Sequence, residues 1–273
     1  MTTAFVLGGG GVLGAVEVGM LRALLEAGVV PDVVVGTSVG AVNGAAFCAD
    51  PTADGVARLG RLWTELAGGD VFGGSLLTRA RTAWSTGTAL HSADPLRALL
   101  AAHLPPTFEE LAVPFQCVAA SIERAAEHWF TSGPLVTAVV ASCAVPGLLP
   151  PERVGGEHFL DGGLVHSIPV GRAVELGADT VHVLQVGRIE RPLTAPTRPW
   201  HVATVAFEVA RRHRFAADTA SLPEGVQVHV LPTGDDAPSV RQDLRYRDTR
   251  RVGARVDTAY QATSAYLASG VLG

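Results

Sequence analysis

Ser38 stands at the centre of Gly36-Thr37-Ser38-Val39-Gly40, directly after the apolar run Val33-Val34-Val35. The spacing is G-x-S-x-G. A strand that reverses into a helix around one serine forces that residue into a strained conformation and crowds its neighbours, and Gly36 and Gly40 are small enough to allow it. Val39 to Ala46 supplies the helix, with Gly44, Ala45 and Ala46 giving it a side slim enough for close packing. The hydroxyl then lies at the helix amino end, where the backbone dipole favours the negative charge that develops in acyl transfer. The chemistry indicated is nucleophilic attack by Ser38, with Gly36, Thr37, Val39 and Gly40 forming the turn that presents it.

Upstream, Gly8-Gly9-Gly10-Gly11-Val12-Leu13-Gly14 follows the short apolar run Ala4 to Leu7. In two adjacent βα units of a parallel sheet both turns open at the carboxyl edge, side by side. The loop Gly9, Gly10, Gly11, Val12 and Gly14 then forms a cradle, and the N–H groups of Gly10, Gly11 and Val12 can face the oxygen of an acyl group attacked by Ser38. That is an oxyanion hole. Residues 9–14 also fit G-x-G-x-x-G, but a dinucleotide loop wants an acidic residue at the carboxyl end of the second strand. That strand ends in Gly36-Thr37-Ser38, and Asp32 lies at its beginning, so no nucleotide is expected.

Asp161-Gly162-Gly163 follows His158-Phe159-Leu160. Taken alone this is common turn chemistry. Paired with Ser38 it becomes the best candidate base, because the glycines let the backbone approach and a semi-buried carboxylate can accept the serine proton. His166, His182, His201, His213 and His229 follow it, so the order Ser, Asp, His is available. An α/β-hydrolase sheet, however, sets its nucleophile after several strands, and here one strand precedes Val33. A Ser38–Asp161 dyad is the simpler reading.

These residues need a scaffold. Strand, glycine loop and a helix over Ala15 to Ala27 make a βαβ start. Residues 52–104 read as helices broken by glycine pairs, with Trp63, Phe72, Leu76, Leu77 and Trp84 among them. They form either a helical cap offering apolar surface to an acyl chain or an ordinary helical layer of the core. Pro114 to Ala120 reads as a central strand with Glu127 to Phe130 as its hairpin neighbour. A helix follows from Pro134 to before Pro146, then a rigid proline-rich surface segment, Pro146 to Pro151. Further strands are expected over Thr180 to Val186 and Val226 to Leu231, with helices over 199–221 and 248–267. No repeat or low-complexity linker interrupts the 273 residues, so one domain is expected.

Composition narrows the function classes. The chain is 48% hydrophobic and 17% charged, with a net charge of -5, which describes a well-buried globular protein and argues against nucleic acid. No lysine occurs, so Walker-type phosphate loops, Schiff-base enzymes and serine–lysine dyads are excluded. Cys48, Cys117 and Cys143 show no C-x-x-C spacing and read as buried thiols, with neither a disulfide framework nor a metal site. The first residues lack the pattern of a signal peptide, so the cytoplasm is the expected compartment.

In their order, the glycine loop, the nucleophile turn and the Asp-Gly-Gly segment resemble the patatin-like phospholipases, and the resemblance extends to Ala141-Ser142-Cys143-Ala144-Val145-Pro146 and to Leu164 through Val170. It implies a three-layer α/β/α sandwich with a mostly parallel sheet, Ser38 as nucleophile and Asp161 as proton acceptor. It also implies hydrolysis of lipid acyl esters without cofactor or metal, and peripheral contact with a membrane. Two positions depart from the family pattern: Leu13 stands where Arg or Lys is usual, removing a cation from the mouth of the site, and His166-Ser167 stand where Asp-Asn is frequent. His166 reads as either a surface replacement or a local tuner of Asp161, the former preferred. A weakly turning-over acyl-binding protein and an acyltransferase are the competing classes.

Overall fold

Alternation along the strands sets the layers. Phe5 and Leu7 of the first strand pack on one side with Val34, Phe115, Cys117 and Leu184, while Ala4 and Val6 pack on the other with Val33, Val35, Val181 and Val183. Both faces of these strands are apolar, so both must be covered by helices. The computed structural model describes residues 1–68, 88–186, 192–196, 199–234 and 249–270.

The elements in order are β1 (Thr3–Leu7), a 3-10 turn (Gly11–Gly14), α1 (Ala15–Glu26), β2 (Val33–Thr37), α2 (Val39–Ala49), α3 (Ala53–Gly68) and α4 (Asp94–His103). Then come β3 (Phe115–Ser121), β4 (Ala126–Phe130), α5 (Leu135–Ser142), β5 (Glu152–Val154) and β6 (Glu157–Asp161). The chain continues through α6 (Val170–Glu175), β7 (Thr180–Leu184), α7 (Pro199–Ala220), β8 (Gln227–Val230) and α8 (Thr249–Ala268). The eight strands form one sheet. Strands β3, β2, β1, β7 and β8 run parallel in that order. Helices α1, α3 and α8 bury their apolar sides on one face through residues such as Leu21, Leu62 and Ala259. The other face is covered by α6 and α7 through Val170, Ala173 and Phe215. This is the three-layer α/β arrangement expected from the sequence.

One junction in the sheet creates the site. Strand β2 runs parallel to β3 and ends with Thr37 opposite Val118, whereas β6 runs antiparallel to β3 and ends with Asp161 opposite Ala119. Strand β4 pairs with Cys117 through Ser121, overlapping both, so β2 and β6 must share the other edge of β3. They arrive along that edge from opposite ends and stop at adjacent register positions. Ser38 and Asp161 are thereby brought face to face.

The sequence reading passed over β5. Its three residues are Glu152-Arg153-Val154, too short and too charged to announce a strand, yet they pair with β6 across Gly155-Gly156. The preceding segment, read as a surface one, is exposed only at Pro146 and Gly147; Leu148, Pro150 and Pro151 are half-buried and Leu149 is buried. Of the aromatic and apolar residues read as cap or core, Trp63 is buried with Leu59 and Leu62 in the α3 face of the core. Phe72, Leu76, Leu77 and Trp84 lie outside the described residues. His103 Nε2, at the end of α4, lies 3.2 Å from Glu65 Oε2.

Candidate active site

Ser38 has φ 54° and ψ -122°, one of two non-glycine residues with positive φ among the described residues. Such a conformation costs on the order of 1–3 kcal/mol and persists only where its surroundings fix it. Three contacts do so. The Ser38 N–H donates to Ser142 Oγ at 2.8 Å, and that hydroxyl donates in turn to the Val118 carbonyl at 2.7 Å. Thr37 Oγ1 donates to the His166 carbonyl at 2.7 Å. A Cβ on Gly40 would fall 2.3 Å from the Leu7 carbonyl oxygen, so β1 and α2 can touch only over a glycine. Gly36, which a side chain would push into Gly40, completes the turn.

Ser142 is thus a hinge pin of the turn. Ser142→Ala leaves the buried Ser38 N–H without its acceptor, for which a loss of about 1–3 kcal/mol of stability is expected. Urea unfolding of the two proteins measures it, and equal midpoints would show the contact to be dispensable.

The Ser38 hydroxyl donates to Asp161 Oδ2 at 2.6 Å. Both are nearly enclosed, with Ser38 7% and Asp161 2% exposed. The Gly163 N–H donates to Asp161 Oδ1 at 2.7 Å, fixing the plane of the carboxylate, and the Asp161 N–H is held by the Ala144 carbonyl at 2.9 Å. Gly162 passes so close to Val118 that a Cβ would lie 2.1 Å from its carbonyl oxygen. Burial pushes the Asp161 carboxyl up to about 6, and the hydrogen bonds from Ser38 and Gly163 oppose that rise. A carboxylate in this range can take a proton from a hydroxyl and give it back near neutral pH.

The glycine loop lies alongside. A Cβ on Gly9 would sit 3.4 Å from Ser38 Cβ, and one on Gly10 would overlap Val186. Gly9 anchors the loop, its N–H committed to the Ser167 carbonyl at 2.8 Å. Gly14 serves packing: a Cβ there would strike Val39 and Trp63, and its carbonyl accepts from Asn43 Nδ2 at 2.9 Å. The N–H groups of Gly10 and Gly11 donate to no acceptor among the described residues. Val12 continues the same turn.

Beneath the loop is a polar network that the sequence reading missed. Asn43 Nδ2 also donates to Glu17 Oε2 at 2.7 Å, and Trp63 Nε1 donates to Asn43 Oδ1 at 2.8 Å. Burial raises the Glu17 carboxyl well above the usual range, and Asn43 counters it in part. One signal was available, since Asn43 is the single asparagine of the chain.

His166 departs from its expected place at the surface. It is 6% exposed, its ring paired with Glu127, its Nε2 2.8 Å from Arg214 Nη2 and its Nδ1 3.7 Å from Asp218. A short polar side chain in a loop reads as exposed in sequence, and only the approach of β4 and α7 encloses it. No histidine ring bonds Ser38 or Asp161 among the described residues; His182 and His229 stack on each other, 5.2 Å between ring centroids, beside Phe5. Asp32 accepts from the Thr3 N–H at 2.7 Å, at the amino edge of the sheet and away from the loop. All three cysteines are free and buried. Among the described residues no group of three or more His, Cys, Asp or Glu side chains could hold a metal, and no helix is long and apolar enough to cross a membrane.

A strained serine at the head of a helix, hydrogen-bonded to a buried aspartate beside glycine amides that donate to no acceptor among the described residues, sets this chain in the class of α/β proteins with a serine–aspartate pair at the carboxyl edge of a parallel sheet. The chain belongs to the patatin-like phospholipase family, whose sequence profile matches residues 5–174. It is 33% identical over 192 residues to lysophospholipase nte1 of Aspergillus terreus, covering 69% of this chain and 12% of that protein. It is 32% identical over 194 residues to rat patatin-like phospholipase domain-containing protein 7, covering 70% of this chain and 14% of that protein. The chain therefore spans about an eighth of the length of these relatives. Among solved structures, VipD from Legionella pneumophila aligns with 98% of this chain and 67% of its own, at 14% identity and a TM-score of 0.48.

Proposed function

We propose that this chain is a serine acyl-ester hydrolase of lipids, of the phospholipase A, lysophospholipase or general lipid esterase type, working through Ser38 and Asp161. The observation that carries the reading is the 2.6 Å hydrogen bond from the Ser38 hydroxyl to Asp161, made by a serine in a strained conformation to a carboxylate pushed up to about 6. Family membership and relatives named lysophospholipases support the substrate class. The single domain takes up the whole chain, the part of residues 52–104 that could cap the site belongs to it, and lipid is reached by peripheral contact with a membrane.

The steps follow from the geometry. Ser38 Oγ attacks the ester carbonyl carbon while its proton passes to Asp161 Oδ2. The former carbonyl oxygen, now negative, accepts from the Gly10 and Gly11 N–H groups. Collapse of the intermediate expels the alcohol, which takes the proton from Asp161 and leaves Ser38 acylated. Water then gives a proton to Asp161 and attacks the acyl carbon, and Ser38 departs with that proton as the carboxylic acid forms. Neither a cofactor nor a metal has a step.

Titration with a fluorophosphonate, followed by mass spectrometry, tests the reading. Stoichiometric modification at Ser38 together with release of free fatty acid from lysophospholipid is the expected result. An inert serine would make the chain an acyl-binding protein. A labelled serine whose acyl group goes to added alcohol or thiol in preference to water would make it an acyltransferase.

A further inference from the structure

The residues from Gly8 to Gly14 contain no charged side chain. A cation nevertheless reaches them from the far end of the chain. Arg211, on α7, is 4% exposed, and its Nη1 donates to the Gly9 carbonyl at 3.3 Å. Its Nε lies 3.3 Å from Glu208 Oε1, one turn earlier on the same helix. Burying a charge is costly unless it is paired and hydrogen-bonded, and for Arg211 the ion pair with Glu208 and the bond to the Gly9 carbonyl offset that cost.

The consequence lies in the next peptide group. No peptide bond of the described chain is cis, so the Gly9–Gly10 unit is planar and trans, with its C=O and N–H on opposite sides. A carbonyl turned toward Arg211 turns the Gly10 N–H away from α7. Gly10 has no side chain to resist that rotation, and Val186 fills the space a Cβ would need, which restricts the ways the loop can lie. The neighbouring peptide is fixed as well, by the Gly9 N–H on the Ser167 carbonyl. A Cβ on Gly9 would sit 3.4 Å from Ser38 Cβ, so the peptide that carries the Gly10 N–H borders the nucleophile.

We infer that Arg211 is a positioning residue for the reaction: by holding the Gly9 carbonyl it sets the Gly10 N–H toward the oxyanion and polarises that peptide into a stronger donor. The inference rests on the hydrolase reading above. The guanidinium also places a positive charge one peptide unit behind the developing negative one, which a water-excluded site screens weakly. A helix-stabilising role alone would need no contact with the loop.

The test is a split between kcat and KM on a short p-nitrophenyl ester, with labelling by fluorophosphonate as a second readout. Removal of one oxyanion donor costs roughly 10²–10³ in kcat, so Arg211→Met, which misorients a donor, is expected to lose about 10- to 100-fold in kcat with KM within about threefold. Arg211→Lys keeps a charged donor and should stay within about fivefold of wild type. Guanidinium ion added to Arg211→Ala should restore part of the rate and leave the wild type unchanged. A folded Arg211→Met with wild-type kcat, a loss confined to KM, or the absence of rescue in Arg211→Ala would overturn the inference. Should Arg211→Met not fold, a lysine variant that melts like wild type yet loses more than about 30-fold would do the same. A wild type that never reacts with the fluorophosphonate removes the hydrolase reading and this inference together, whereas a reactive wild type beside equally reactive variants removes the inference alone.

Discussion

Ser38→Ala is expected to lower kcat/KM for ester hydrolysis by roughly 10⁴-fold or more, because loss of an essential nucleophile leaves only binding and the amide cradle to act. The fold should survive the change. Alanine at φ 54° is no more strained than serine, the N–H to Ser142 remains, and the hydroxyl lost is a single donor. The orphaned Asp161 oxygen takes a proton more readily without Ser38, so the buried carboxyl is not left as an unpaired charge. Fatty acid release and p-nitrophenyl ester turnover measure the effect. Activity within tenfold of wild type would end the proposal that Ser38 forms the acyl-enzyme.

Asp161→Asn should be nearly as damaging to turnover and should move stability in the opposite direction. An amide cannot take the serine proton, and a loss of about 10³-fold or more is expected for a base used in both half-reactions. In the wild type the carboxylate is the active form, so kcat/KM should rise through about pH 6 and fall tenfold per pH unit below it. Stability runs the other way. The folded carboxyl titrates at about 6 against 3.8 in its ordinary state, so the folded protein binds the proton more tightly than the unfolded chain. The contribution is fully present below about pH 4 and is lost as pH rises through about 6, a difference of about 3 kcal/mol. Asn carries no such charge, so the variant should melt several degrees above the wild type at pH 8 and match it near pH 4. A melting point at pH 8 equal to or below that of the wild type would mean that Asp161 is not held against its charge.

Much of this site could be read from local signals. A run of valines stopping at Gly-Thr-Ser-Val-Gly, a glycine loop after the first strand and an aspartate before two glycines are each short segments whose chemistry is written in adjacent residues. The order of strands and helices followed from apolar periodicity with boundaries shifted by a few residues. The illegible parts depend on segments far apart in the chain. Ser142 looks like one more small residue of an apolar helix until Ser38 arrives beside it. Arg211 reads as part of a basic stretch on a long helix, and nothing near it in sequence indicates Gly9. His166 became buried through Glu127 and Asp218, which lie before and after it by several elements. The anchoring of Gly9 was hidden for the same reason: its amide partner, Ser167, stands beyond the aspartate motif.

The shared edge of β3 has a further consequence for how competence is acquired. Neighbouring residues of a strand point to opposite faces, so if β6 slid by one position, the Asp161 side chain would leave the nucleophile for the far side of the sheet. No intermediate degree of misalignment preserves the pair. The pairing of Asp161 with Ala119 is thus the register on which the meeting of Ser38 and Asp161 depends.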